Sequence, residues 1–181
     1  MVKELLVLDE LVRASTLLAD EGDFKTLISV LVEQSLDITR SDVAALYLFK
    51  KPEDKQSDLK LMYKRGSFEL PEELQARSEL IDFLNECEKA VVLQERKQGP
   101  FGDLFLHPQM NSGIALPLKT AKTRIGVLIL NSRKSFFYNR NSFNFLNSYS
   151  TQASGMLQNS RLYKELKEYV KQVEDLERYQ E

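Results

Sequence analysis

Apolar residues recur at helical spacing at the start of the chain, at Leu5, Leu8 and Val12 and again at Leu6, Leu11 and Leu18. This predicts a helix over residues 2–19 with one broad apolar stripe. Nothing within the segment covers that stripe, so it must pack on the domain or on a second chain. The run Asp20-Glu21-Gly22-Asp23 breaks the pattern, and Asp23 is a good N-cap for a second helix. That helix carries Leu27, Ile28, Leu31, Val32 and Leu36 on one face and ends near residues 38–40. Residues 41–50 (SDVAALYLFK) are apolar on both faces, as expected of a central strand. Residues 58–67 alternate Leu59, Leu61 and Tyr63 against Lys60 and Lys64, a more peripheral strand. Pro71, followed by Glu72 and Glu73, suits a first helical turn, with Leu74, Leu80, Ile81 and Leu84 as its buried stripe. A short third strand follows at 90–93. Residues 94–111 (QERKQGPFGDLFLHPQMN) show no period and several breaks, and long irregular segments inside compact domains are often functional.

Two further apolar runs, 113–118 and 124–130, flank a short polar segment and read as a β-hairpin. Pro117 lacks a ladder donor and Gly126 has no side chain to pack, so backbone should approach another group closely there. The last helix begins near residues 139–141. Phe143, Leu146, Ser150, Ala153 and Leu157 form a face suited to packing closely on a sheet. From Leu162 the pattern changes. Leu162, Leu166, Tyr169, Val173 and Leu176 alternate spacings of four and three, a heptad seam. About three heptads are marginal for autonomous pairing in water, so alignment by the domain or by residues 2–19 would help.

Composition narrows the classes. A length of 181 residues with 43% hydrophobic side chains suits one domain with appendages. The net charge of −2 predicts no nucleic-acid footprint. No run approaches the ~20 apolar residues of a membrane span, and the N-terminus lacks a signal-peptide layout. A single cysteine excludes an intramolecular disulfide framework, so a cytoplasmic protein without direct membrane contact is expected.

Catalytic signatures are weak. Cys87 sits between Glu86 and Glu88, which disfavour a thiolate. His107 is the lone histidine, so a histidine-rich metal site is impossible. Neither a P-loop nor a dinucleotide fingerprint occurs. Glu72-Glu73 is explained by a helix N-terminus, and the basic groups at residues 50–51 and 119–124 read as solvated surface. The chain is expected to be regulatory, not an enzyme.

The order helix, strand DVAALYLF, strand, helices, loop, GIALPL, IGVLILNS and then SFNFLNSYSTQASGMLQNSRLYKEL resembles a GAF domain, the small-molecule-sensing module of signalling proteins. The resemblance spans roughly residues 23–167. Its most specific parts are the hairpin and the ending NSRLYKEL, which is similar to the family's hand-off into a signalling coiled coil. It implies an α+β fold: a central antiparallel sheet of five to six strands, a helical layer on one face, and a pocket with short helices and loops on the other. It also implies long N- and C-terminal helices, and divides the chain into a dimerisation helix (1–20), a sensor domain (21–160) and a signalling helix (161–181). The asparagine-lysine-phenylalanine-aspartate-glutamate motif of phosphodiesterase GAF domains is absent; residues 131–135 read NSRKS. No cysteine-histidine pair offers a bilin attachment, and one cysteine cannot supply the resolving pair of a methionine-sulfoxide-reducing member.

With the helical layer on the Leu46 side, as the resemblance implies, Ala45, Tyr47, Ala115, Val127, Ile129 and Asn131 turn toward the pocket. Small residues beside Tyr47 leave a slot for a purine-like ring, which Ala115→Leu should fill with little loss of folding. Asp103, His107, Asn111 and Ser112 are the polar groups placed to close over a ligand. Equally, Tyr47 is simply core and those four are loop surface. The ligand class implied is a cyclic nucleotide such as cAMP or cGMP, with no covalent cofactor and an output such as a diguanylate cyclase. The alternative is a ligand-free dimerisation or scaffold module positioning a kinase or cyclase. Either way the expected assembly is a parallel homodimer through Leu5, Leu8, Val12, Leu162, Leu166, Tyr169, Val173 and Leu176.

Overall fold

The computed structural model describes residues 24–75, 78–86, 89–96 and 102–180, with the backbone alone for 78–81 and 103. The helix expected at 2–19, the Asp23 cap, Leu5, Leu8, Val12 and Cys87 lie outside the described residues.

In chain order the elements are α1 (Phe24–Thr39), β1 (Val43–Phe49), β2 (Leu59–Arg65), β3 (Glu73–Leu74), α2 (Ser78–Glu86), β4 (Val91–Leu93), β5 (Ser112–Lys119), β6 (Arg124–Ser132) and α3 (Arg140–Tyr179). A 3₁₀ turn, Gly102–Leu104, interrupts the irregular segment before β5. The strands form one antiparallel sheet in the order β3-β2-β1-β6-β5-β4. β1 is central, as its two-sided apolar run requires, and all seven of its residues are buried.

Alternation along the strands sorts the core into two layers. Ala44, Leu46, Leu48, Ile114, Leu116, Leu118, Leu128 and Leu130 face α1 and the first half of α3, where Leu27, Leu31, Leu146, Tyr149 and Leu157 meet them. Val43, Ala45, Tyr47, Phe49, Ala115, Val127 and Ile129 form the opposite layer with Leu74, Phe83, Leu84, Leu104, Phe105 and Met110. Short helix and irregular segment cover this second face, as the α+β reading requires.

The hairpin packs backbone against backbone where Gly126 predicts it. Gly126 lies opposite Leu48 across the β1–β6 pair, and a Cβ there would fall 1.9 Å from the Tyr47 carbonyl oxygen. Side-chain volume is excluded at this crossing by the ladder itself.

One element differs from the periodicity. Residues 71–74 are not a helical turn. Leu61 N–H donates to the Glu72 carbonyl at 2.8 Å and Leu74 pairs with Leu59, so this stretch adds an edge strand to β2. Pro71 fits a sheet edge as well as a helix start, because neither position uses its missing N–H. The described helix here is Ser78–Glu86.

α3 is one continuous helix of 40 residues, capped by the Asn139 side chain, which accepts from Ser142 N at 2.9 Å. Its buried residues run from Phe145 to Ser160 and stop there. Beyond residue 160 the seam residues are uncovered: Leu162 is 51% exposed, Leu166 58%, Tyr169 65% and Leu176 64%. Hydroxyls tie α1 to α3. Tyr149 Oη donates to the Leu31 carbonyl at 2.9 Å, and Thr39, Ser41 and Tyr138 form a chain of two 2.7 Å hydrogen bonds. Burial pushes the phenols of Tyr138 and Tyr149 well above their ordinary range, so both stay neutral donors at any ordinary pH.

Candidate functional site: the loop-covered face of the sheet

The sheet face opposite α1 and α3 is where the sequence places a ligand. Ala45, Tyr47 and Ala115 do share that face. Each shows no exposed surface, as do Val127 and Ile129 beside them. Among the described residues, therefore, these five side chains present no surface to a water-sized probe, and Tyr47 borders no open slot. Its hydroxyl crosses to the edge of the sheet and donates to the Pro71 carbonyl at 2.7 Å. Burial raises this phenol's pKa also. Tyr47 here packs as core, with its polar tip satisfied by backbone.

Asn131 is the polar centre of this face. It is fully buried near the end of β6. Its Oδ1 accepts from Leu106 N at 2.8 Å, and its Nδ2 donates to the carbonyls of Leu104 (3.2 Å) and Leu130 (2.9 Å). One side chain thus ties the 3₁₀ turn and its following residues to the sheet. Gly113, opposite on β5, makes room for it. A Cβ at 113 would lie 2.6 Å from Asn131 Nδ2.

The remaining polar residues expected to meet a ligand are likewise engaged with backbone. Asn111 Nδ2 donates to the Arg133 carbonyl at 2.7 Å. Ser112 Oγ donates to the Lys134 carbonyl at 2.5 Å and is buried. His107 Nδ1 accepts from Gln109 N at 3.1 Å, and its ring lies 4.8 Å from that of Phe68 at a tilt of 57°. The Asp103 side chain lies outside the described residues. Asn111, Ser112 and Asn131 therefore act as clamps between the irregular segment and the hairpin, while His107 stands nearer the surface.

Two arginines outside the expected site complete the picture. Arg96 Nη1 donates to the carbonyls of His107, Pro108 and Met110, and its guanidinium lies 5.6 Å from the Phe105 ring centroid. Arg124, read as solvated surface, is half-buried instead. Its guanidinium lies 4.4 Å over Phe49 and donates to Asn85 Oδ1 and to the carbonyls of Pro52 and Asp54. Basic residues between strands give no sign in the sequence that carbonyls about 70 positions away will meet them.

An open cleft of about 540 Å³ lies on the other side of the molecule, between the start of α1 and β2, with Lys25, Ser29, Lys60, Met62 and Tyr63 in its wall. Tyr63 Oη there donates to Glu33 Oε1 at 2.9 Å. Among the described residues no group of three or more acidic, histidine or cysteine side chains could hold a metal ion. No described helix is long and apolar enough to cross a membrane.

No family model matches the sequence, and no curated protein matches it either. Solved structures do. The GAF domain of an Acinetobacter phosphoenolpyruvate-protein phosphotransferase superposes with a TM-score of 0.64 at 22% identity, over 90% of this chain and 96% of that one. A free methionine-R-sulfoxide reductase from Neisseria meningitidis, solved with its substrate, gives a TM-score of 0.66 at 18% identity over 88% and 93%. A putative GAF sensor protein from Burkholderia vietnamiensis gives 0.62 at 16% over 88% and 92%. The antiparallel six-stranded sheet, the helical layer on one face, the loop-covered opposite face and the long exit helix together make this chain a GAF domain in fold.

Proposed function

We propose that this chain is a regulatory module of a signal-transduction protein, which dimerises through its exit helix and relays a change in the domain along it. The observation that carries this reading is the division of α3. Its first half is buried on the sheet as far as Ser160, and its second half continues without a break into an uncovered heptad seam. In a parallel pair, Leu162, Leu166, Tyr169, Val173 and Leu176 would meet their own copies. The flanking Val170, itself 46% exposed, widens the apolar strip. A rod fixed to the sheet at one end and to a partner at the other converts a tilt of the domain into a change of splay or register. An output domain such as a diguanylate cyclase or a kinase would read that change.

Catalysis is not part of this reading, although the fold supports it in the methionine-R-sulfoxide reductases from Neisseria meningitidis and Thermoplasma acidophilum. A single cysteine cannot close an intramolecular disulfide, so a cycle that forms one within the chain is closed to it.

The packed state of the loop-covered face favours the scaffold version over a sensor that holds cAMP or cGMP at Tyr47. A cyclic nucleotide would have to displace Leu104, Phe105 or Met110 from that layer. Sedimentation of the chain and its Leu166→Lys variant tests the relay: the parent should be dimeric and the variant a folded monomer. Thermal denaturation with millimolar cAMP or cGMP tests the sensor version. A ligand at a hundred times its dissociation constant would add about 2.7 kcal/mol of stability. The scaffold version predicts no shift with either nucleotide.

A further inference from the structure

At the rim of the loop-covered face, three basic side chains gather about the residues of one aromatic pair. Phe68 and His107 form the centre, with ring centroids 4.8 Å apart. Lys64 Nζ donates to the Phe68 carbonyl at 3.4 Å, and the Arg133 guanidinium lies 5.9 Å from the Phe68 ring centroid. Arg96 Nη1 reaches the His107 carbonyl at 3.3 Å. Lys64, Arg96 and Arg133 are exposed, His107 and Phe68 half-buried. Three elements distant in sequence thus bring three fixed positive charges within one contact of a single aromatic pair.

What those charges touch is informative. Arg96 directs one nitrogen at three backbone carbonyls, and Lys64 has a carbonyl at the long limit of a hydrogen bond. Arg133 has a carboxylate, Asp42 Oδ1, but at 3.4 Å, while Asp42 Oδ2 accepts from the Arg133 backbone N–H at 2.8 Å. Guanidinium groups bind carboxylate or phosphate oxygens about twice as strongly as neutral carbonyls, and in a bidentate fork. His107 adds a donor. With Nδ1 accepting from Gln109, the proton of the neutral ring sits on Nε2.

We propose that Lys64, Arg96, His107 and Arg133 form a binding site for a small phosphorylated ligand, with Phe68 receiving an attached aromatic or apolar group. This site lies at the rim of the domain and does not require the buried layer around Tyr47 to open. It goes beyond the dimer relay, and neither reading depends on the other. Its occupation would draw Arg96 away from the carbonyls of residues 107, 108 and 110. The ligand would thereby act on the same irregular segment that Asn131 clamps from beneath.

The test uses inorganic phosphate and phenyl phosphate at constant ionic strength, followed by chemical-shift changes at the arginine Nε–H groups and by thermal stability. Both probes should give saturable changes, with phenyl phosphate binding more tightly. Arg133→Gln and Lys64→Gln, both exposed, should each weaken binding several-fold, and the two together at least tenfold. Phe68→Ala should erase the preference for phenyl phosphate while sparing phosphate. Arg96→Gln should also weaken binding, but it removes the anchor of residues 107–110. The Lys64/Arg133 double variant therefore decides, provided its far-UV spectrum and unliganded melting match the parent. Absence of saturation in the parent, or equal affinity in that double variant, would overturn the site. Sedimentation of the same samples reports the dimer separately.

Discussion

The two faces of the sheet are built on different principles. On the helical face, two helices meet aliphatic rows from β1, β5 and β6, and the polar atoms inside belong mostly to tyrosines and serines that bond within or between helices. On the loop-covered face, a short helix and an irregular segment meet the same strands; single polar side chains such as Asn131, Asn111 and Ser112 hold the attachment, and Arg96 braces the irregular segment against itself. Regular secondary structure satisfies its own backbone. An irregular segment cannot, so it borrows partners from the sheet. The first face is therefore cooperative, and the second is attached at points. Points can be released one at a time, which is what a regulated surface needs.

The largest effect should come from the cooperative face. Leu128→Ala deletes a fully buried side chain between the sheet and the helices and should cost about 3–4 kcal/mol, seen as a lower denaturant midpoint with all probes coincident. Next, Asn131→Ala should cost about 2–3 kcal/mol, because Leu106 N–H and the Leu104 carbonyl lose their partner. Native-state hydrogen exchange should confine that loss to residues 102–111. Equal loss of protection in β1 and α3 would erase the contrast between the faces.

Ala115→Leu sharpens the comparison further. Tight packing around Ala115 contradicts the sequence-based expectation that a larger residue would fold with little penalty. Overpacking should cost about 1–3 kcal/mol, measurable by chemical denaturation. Alkaline titration reads the two faces together. Burial raises the phenol pKa of Tyr47, Tyr138 and Tyr149 in the folded state. Their contribution is complete below about pH 10, the unfolded value, and is lost as pH rises from there toward the folded values. Each should then remove about 1.4 kcal/mol per pH unit. Tyr138→Phe with Tyr149→Phe should flatten the slope more than Tyr47→Phe alone, as two of the three phenols serve the helical face.

The sheet was legible because alternation is a local property. Residues 43–49, 113–118 and 124–130 carry their own face assignment, and Gly126 announced a close approach that the β1 backbone makes. Residues 71–74 were not legible as a strand, since two paired residues are too few for any period. For the expected site residues, the sequence carried the face of the sheet on which Ala45, Tyr47 and Ala115 lie, and not their contacts. Asn111, Ser112 and Asn131 were expected to meet a ligand, and in the structure their side chains bond backbone groups. Whether such a group meets a ligand or a carbonyl depends on partners about 20 to 27 positions away, which spacing does not encode. Arg96 and Arg124 were missed for the same reason.

The continuity of α3 has a simple mechanical consequence. From residue 161 to residue 179 the helix extends roughly 28 Å beyond the part held on the sheet, at 1.5 Å per residue. Over such an arm, a rocking of the domain by about 5° carries the tip roughly 2.5 Å sideways, nearly half the 5.4 Å pitch of the helix. A displacement too small to disturb packing at the pivot is thus magnified at the far end to the scale on which helices trade neighbours. The domain is the short end of a lever.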